Sequence, residues 1–270
     1  TPLLVDGNLN DWHVTVSDSS THTPASIFTS VSVDQGTLFS SAIEDTDDLA
    51  GDSGYLGPHY GGQNYDAEFM AVAIANSKIY LAIVSGQRPD NGLQRYSPGD
   101  LRIVANNGIT YGLEIGGGTG GAANQGAITE GAAGSTYLLN GSGWTQSVNA
   151  TSAAQTAGSL WRNVTWINSP IDGAPVQFVA NAQSSLVGMA DYYFSRNAFG
   201  SQHSIIELSL DVNLFGNASN LDFYWGPSCN NDVLTVKDDL TNSRVPLPGT
   251  LTLLGLGLFG VSVARRKFNA

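Results

Sequence analysis

The sequence predicts an all-β fold: an antiparallel β-sandwich of jelly-roll or related type with long loops, followed by one C-terminal hydrophobic helix. Three observations predict the sheets. Apolar and polar residues alternate with a period of two in segment after segment. Glycine is abundant, at 32 residues. Ser, Thr and Asn crowd the gaps between apolar stretches, as turns require. The chain has 270 residues, 41% of them hydrophobic, which is enough to bury one large core.

The elements follow in chain order. The opening "LLVDGNLNDWHV" reads as a strand and a turn, with Trp12 as a core anchor. Glu44–Gln63 is an Asp- and Gly-rich loop. Next, "AEFMAVAIA" and "KIYLAIVS" flank Asn76-Ser77 and read as a hairpin with a two-residue turn. A second hairpin is expected in "LRIVANNGITYGLEI", turning at Asn106-Asn107-Gly108, where Asn-Gly supplies positive φ. Gly116–Gly134 is low in complexity and reads as a surface loop. Short helices are expected near Ser152–Leu160. Further strands are expected at Val176–Ala180, Ile205–Val212, Leu221–Trp225 and Val233–Lys237. Residues 1–240 thus form one sandwich, 241–248 a proline-containing linker and 249–270 a terminal helix.

Charge narrows the partners. The net charge is −12 and only 11 residues are Lys or Arg, which argues against nucleic acid, because phosphate binding needs clustered cations. Cys229 is the only cysteine, so no intrachain disulfide forms, and it reads as a small buried hydrophobe. The four histidines, His13, His22, His59 and His203, show no metal-ligand spacing. The opening Thr1-Pro2-Leu3 reads as a processed N-terminus, after removal of an export signal.

Two sets of carboxylates are candidate calcium ligands. "EDTDDLAGDSGY" carries Glu44, Asp45, Asp47, Asp48 and Asp52 without a base between them, and calcium takes oxygen ligands from such Gly-containing loops. The spacing is not that of an EF-hand, and a solvated acidic loop is the plainer reading. Asp6, Asp11, Asp66 and Glu68 form a second set if the fold brings them together. Tyr60, Trp144 and Trp161 are candidate sugar platforms in loops. Tyr55 and Trp166 belong to the same class, and ordinary packing is the alternative for the tryptophans.

Catalytic motifs are weak. Five glutamates offer no recognisable pair for glycoside hydrolysis. No Gly-x-Ser-x-Gly occurs, and the Gly116, Gly118 and Gly121 match to a dinucleotide fingerprint has no amphipathic helix behind it. Glu207 in "SIIELSLDV" reads as a residue on the polar face of a strand. The chain reads as a non-enzyme, with a glycosidase as the alternative.

The tail is the most specific segment. In "VPLPGTLTLLGLGLFGVSVARRK", Pro246, Leu247 and Pro248 precede an uncharged run, Leu251–Ala264, and then Arg265, Arg266 and Lys267. The run approaches the lower limit of roughly 17 residues for spanning a bilayer, with the cations held cytoplasmic. This order of parts resembles the C-terminal sorting signal of exosortase-dependent surface proteins, the PEP-CTERM proteins. The resemblance covers about the last tenth of the chain, and Leu247 stands where that family usually has Glu. It implies export to the cell surface or beyond, a membrane anchor, and an exosortase-type sorting protease that cuts near the proline motif. The family is associated with Gram-negative bacteria that make exopolysaccharide.

The rest of the chain carries a second resemblance. Asp6-Gly7, Asp11-Trp12, the hairpin opened by Tyr65-Asp66-Ala67-Glu68, and "LDFYWGPSCNNDVLTV" resemble family 9 carbohydrate-binding modules and related DOMON-like sandwiches. That resemblance implies a sandwich and sugar binding. The expected function is a structural, self-assembling surface or matrix protein, forming a homo-oligomer or filament. The alternative is a module that binds the cell's own exopolysaccharide.

Overall fold

The structure is a computed structural model that describes residues 2–16, 28–30, 38–44, 66–86, 89, 99–115, 131–132, 136–137, 142–143, 146–147, 155–168, 173–195, 203–227 and 232–240. Its longer strands are β1 (Leu38–Ile43), β2 (Ala67–Ala75), β3 (Lys78–Ser85), β4 (Leu101–Ala105), β5 (Thr110–Leu113), β6 (Ser159–Arg162) and β7 (Thr165–Asn168), then β8 (Pro175–Val179), β9 (Ser185–Met189), β10 (Asp191–Ser195), β11 (Ser204–Asp211), β12 (Asn220–Trp225) and β13 (Leu234–Asp239). Sheet one runs β1-β2-β3-β11-β10, with Gly131–Ala132 at its far edge. Sheet two runs β9-β6-β5-β4-β12-β13. All pairings in both sheets are antiparallel. Strands β7 and β8 form a separate ribbon.

Local chemistry explains the two hairpins. Asn76 and Ser77 both have positive φ, 51° and 62°, the twist that joins β2 to β3 in a two-residue turn. Between β4 and β5 the chain turns at Asn106-Asn107-Gly108, with Gly108 at φ 88°. Both turns fall where the sequence places them.

The main core lies between the sheets. Met70, Val72 and Ile74 of β2, Ile79, Leu81 and Ile83 of β3, and Ile206, Leu208 and Leu210 of β11 pack with Leu101, Ile103, Leu221, Phe223 and Trp225 of sheet two. The intervening residues of sheet one face the other way. Phe69, Ala71, Ala73, Ala82, Val84 and Ile205 are covered by Leu3, Leu9 and Trp12 of the N-terminal segment. The central strands β2, β3 and β11 are therefore buried on both faces, which is why β2 is apolar nearly throughout instead of alternating. Its alanines leave room for the N-terminal segment to lie close.

The helices expected near Ser152–Leu160 are absent from the described part of that stretch. Gln155–Thr156 pairs with Thr136–Tyr137, and β6 starts at Ser159. Gly158 between them has φ 83°, which no α-helix accommodates. The one helical turn among the described residues is 3-10, at Val212–Phe215, where Asp211 accepts from the Asn213 N–H. No described helix is long and apolar enough to cross a membrane. The expected terminal helix at 249–270 and the linker lie outside the described residues.

Candidate functional site

Four segments converge at one end of the sandwich. The pairing of β2 with β3 sets Ala67 opposite Ser85 but Phe69 opposite Val84, so Glu68 is an extra residue in a β-bulge. A bulge re-aims a side chain that regular pairing would direct elsewhere. The carbonyl of Glu68 accepts from the Glu44 N–H at the end of β1 (3.1 Å). The carbonyl of Asp66 accepts from the Gly86 N–H (2.8 Å) and from Ser85 Oγ (2.8 Å). Ser85 is opposite both Ala67 and Ser204, which sets Asp66 and His203 on either side of Gly86. Asp232, in the approach to β13, accepts from the Ala67 N–H at 3.1 Å.

The side chains gathered there are chemically unusual for a strand end. Asp66, Glu68, His203 and Asp232 are all buried. His203 Nε2 lies 2.6 Å from Glu68 Oε1. One donor atom from each of Asp66, Glu68 and His203 lies within 4.8 Å of the others, and the same holds for Glu44, Asp66 and Asp232. Burial pushes the Asp232 carboxyl up to about 7, and the negative charges of Glu44 and Glu68 push the same way.

A second carboxylate organises the N-terminal segment. Glu207 Oε1 accepts from Trp12 Nε1 at 2.7 Å, and Oε2 accepts from the N–H groups of Gly7 (2.7 Å) and Asp6 (3.1 Å). Glu207 is buried, which corrects its reading as a residue on a polar strand face: the N-terminal segment covers that face. Burial raises its pKa to about 7 against the pull of those three donors. Asp11 accepts from the Leu4 N–H, and burial raises its pKa too. Asp6-Gly7 and Asp11-Trp12 are thus the parts of a lock that fastens residues 2–14 to sheet one.

Beside this lock lies an open groove of about 550 Å³. Leu4, Tyr80, Tyr193 and Ser209 line it, with Lys78 Nζ and Asp191 Oδ2 paired at 2.7 Å. The pair raises the Lys78 pKa and lowers that of Asp191. Just before β4, buried Asp100 is hydrogen-bonded to Glu114 and accepts from the N–H groups of Ile115 (3.2 Å) and Phe178 (2.9 Å). Burial raises Asp100 to about 6.

The comparisons speak to the tail. Residues 244–267 match the PEP-CTERM protein-sorting motif. The chain therefore carries an exosortase-type sorting signal, the mark of an exported protein processed by a membrane-embedded exosortase. The match covers Pro246, Leu247, Pro248, Arg265, Arg266 and Lys267, which lie outside the described residues. No curated protein and no solved structure matches the chain.

The other sequence candidates fall as follows. Asp45, Asp47, Asp48, Asp52, Tyr60 and Trp144 lie outside the described residues, as do Tyr55 and Cys229. Trp161 is half-buried and donates from Nε1 to Ser159 Oγ at 2.9 Å. Trp166 is half-buried and meets Phe178 edge-on. The set Asp6, Asp11, Asp66 and Glu68 divides: Asp66 and Glu68 join His203, while Asp6 and Asp11 belong to the Glu207 lock. His203 and Asp232 were not among the candidates. The signal for them was a polar residue at the entry to an apolar strand, in "HSIIEL" and "NDVLTV".

Proposed function

We propose that this chain is a non-enzymatic component of the cell surface or extracellular matrix, delivered by its tail and assembling through its sandwich. The observation that carries the reading is the sorting motif at 244–267. Assembly is supported by β9, an edge strand of sheet two in which Leu186 and Met189 are exposed and no residue is charged. The test compares cells with and without their exosortase, following the protein by mass and location. With the enzyme, the tail should be removed and the domain recovered outside the membrane. Without it, the tail should persist on membrane-bound protein. Identical mass and location in both strains would sink the reading, as would identical processing after replacing Pro246 and Pro248 by alanine.

A second reading is favoured by the groove beside Lys78. Tyr80 and Tyr193 offer ring surfaces, and Lys78, Asp191 and Ser209 offer polar groups, the combination a sugar-binding site uses. In this reading the domain holds the cell's own exopolysaccharide. It calls for saturable retention on that polymer, lost in Tyr80→Ala. Retention that ignores this substitution would exclude the groove.

A further inference from the structure

We infer that the cluster at the bulged end of β2 is a binding site for one divalent metal ion, of the zinc or manganese class. Asp66, Glu68 and His203 form its base, and Glu44 and Asp232 complete it on the side of β1 and β13. Asp66 belongs to both groups of converging donors, so a single ion at its carboxylate is within reach of either.

Three features carry the assignment. First, the donors are held in place before any ion arrives. The backbones of Glu44, Asp66 and Glu68 are tied into the end of sheet one, and Asp232 is tied to the Ala67 N–H. Preorganisation of this kind lowers the cost of binding. Second, the Glu68 side chain is fully buried, and its Oε2 has no hydrogen-bond partner. A buried carboxylate oxygen without a partner is costly, and a cation among these donors would supply one. Third, the regular pairing of β2 is broken at this residue, and a bulge is a common device for aiming a side chain at a site.

The donor set selects the metal. Calcium and magnesium prefer oxygen alone. An imidazole nitrogen beside several carboxylates suits zinc, and manganese tolerates the same mixture. No thiolate, the ligand that softer ions favour, is among the donors found in the described residues. This inference is independent of how the chain is exported and of what, if anything, its groove binds.

The test uses the full chain, stripped with chelator and titrated separately with ZnCl2, MnCl2 and CaCl2 by calorimetry. The expected result is one equivalent of zinc or manganese per chain, at least tenfold tighter than calcium, with a raised Tm. Glu68→Gln and His203→Asn should each weaken binding at least tenfold, while Lys78→Ala, in the groove, should not. Because the first two variants can also perturb folding, the wild type is loaded with Co2+ and examined by proton NMR. One histidine ring should show hyperfine-shifted protons. The inference is overturned if none of the ions binds, if calcium binds as tightly as zinc and manganese, if Glu68→Gln and His203→Asn fold and bind like wild type, or if no histidine ring is shifted by cobalt.

Discussion

The indole N–H of Trp12 donates to Glu207 Oε1 over 2.7 Å, joining positions 195 residues apart in the chain. This bond fixes the N-terminal segment on sheet one, and the Trp12 ring fills the surface behind it, edge-on to Phe39. Trp12→Phe keeps an aromatic ring but leaves a buried carboxylate oxygen without its donor. At pH 8, where Glu207 is ionised, a hydrogen bond to a charged group contributes about 1.5–3 kcal/mol, and the smaller ring adds a packing loss, so the expected destabilisation there is about 2–4 kcal/mol. Urea denaturation followed by far-UV circular dichroism measures it. A change below about 0.5 kcal/mol, the range of an ordinary surface substitution, would mean that the segment is not locked by this contact.

Gly7 occupies the next link of the same lock. Its φ is 80°, and a Cβ there would lie 2.5 Å from the Tyr193 ring and 2.8 Å from Ser195 Oγ. Gly7→Ala therefore meets two separable penalties, the backbone conformation and the clash. The backbone part is about 1–2 kcal/mol. Adding Tyr193→Ala relieves the ring contact and leaves the Ser195 contact and the backbone part, so Gly7→Ala should cost less in the Tyr193→Ala background than in wild type. Denaturation of the four proteins of the cycle gives the coupling. Additive costs would show that Tyr193 does not confine Gly7.

These residues show what the sequence made legible. The turns at Asn76-Ser77 and Asn106-Asn107-Gly108 were readable because a few adjacent residues dictate a turn. Trp12 was readable as an anchor, but its partner was not. Glu207 sits in an alternating strand, and alternation assigns a polar residue to solvent unless something covers that face. The covering comes from the other end of the chain. The metal-ligand candidates were legible in part. Glu44, Asp66 and Glu68 were readable as acidic candidates in two separate sets, but not that a bulge at Glu68 and the arrival of Glu44, His203 and Asp232 from three other strand ends would gather them. Histidine spacing along the chain carries no information about donors collected across a sheet. Where short helices are expected near Ser152–Leu160, the described part is strand and turn, with Gly158 at positive φ.

Buried carboxyls should give the protein an unusual pH profile. Glu207 titrates near its ordinary 4.5 when unfolded and is pushed up to about 7 by burial in the fold. Between those values the native state holds a proton that the unfolded chain has released. Stability should therefore be greatest near pH 4.5, fall as pH rises towards 7, and level off above it. Asp100, raised by burial from 3.8 to about 6, contributes in the same direction over a lower window. Asp191, held below its ordinary 3.8 by Lys78, works the opposite way and matters only as the solution becomes more acidic than that. The Glu207 contribution is at most about 3 kcal/mol. Denaturation from pH 4.5 to 8, with chelator present to exclude metal linkage, should show the fall, and Glu207→Gln should make it shallower. A wild-type stability that rises over this window would contradict the burial argument, and an unchanged slope in Glu207→Gln would remove Glu207 from it.

The last prediction concerns the edge strand β9. It pairs with β6 on one side, and no described strand pairs with its other side. Edge strands in soluble proteins are commonly guarded by charge, proline or a bulge. Here the register shifts between the Leu160 and Trp161 pairings, which leaves Val187 as a bulge, but "SLVGM" contains neither a charge nor a proline. Leu186 and Met189 are 52% and 49% exposed, so replacing them removes little from the core. Leu186→Lys together with Met189→Lys should change stability by less than about 1 kcal/mol while adding two like charges to any edge-to-edge contact. If the chain assembles through this strand, sedimentation velocity at micromolar concentration should show higher-order species for the wild type and a shift to monomer for the double variant. An equal distribution for both proteins would place any assembly elsewhere on the molecule. A wild type that stays monomeric throughout would remove self-assembly from the proposed function and leave the sorting signal as the address of a monomeric surface domain.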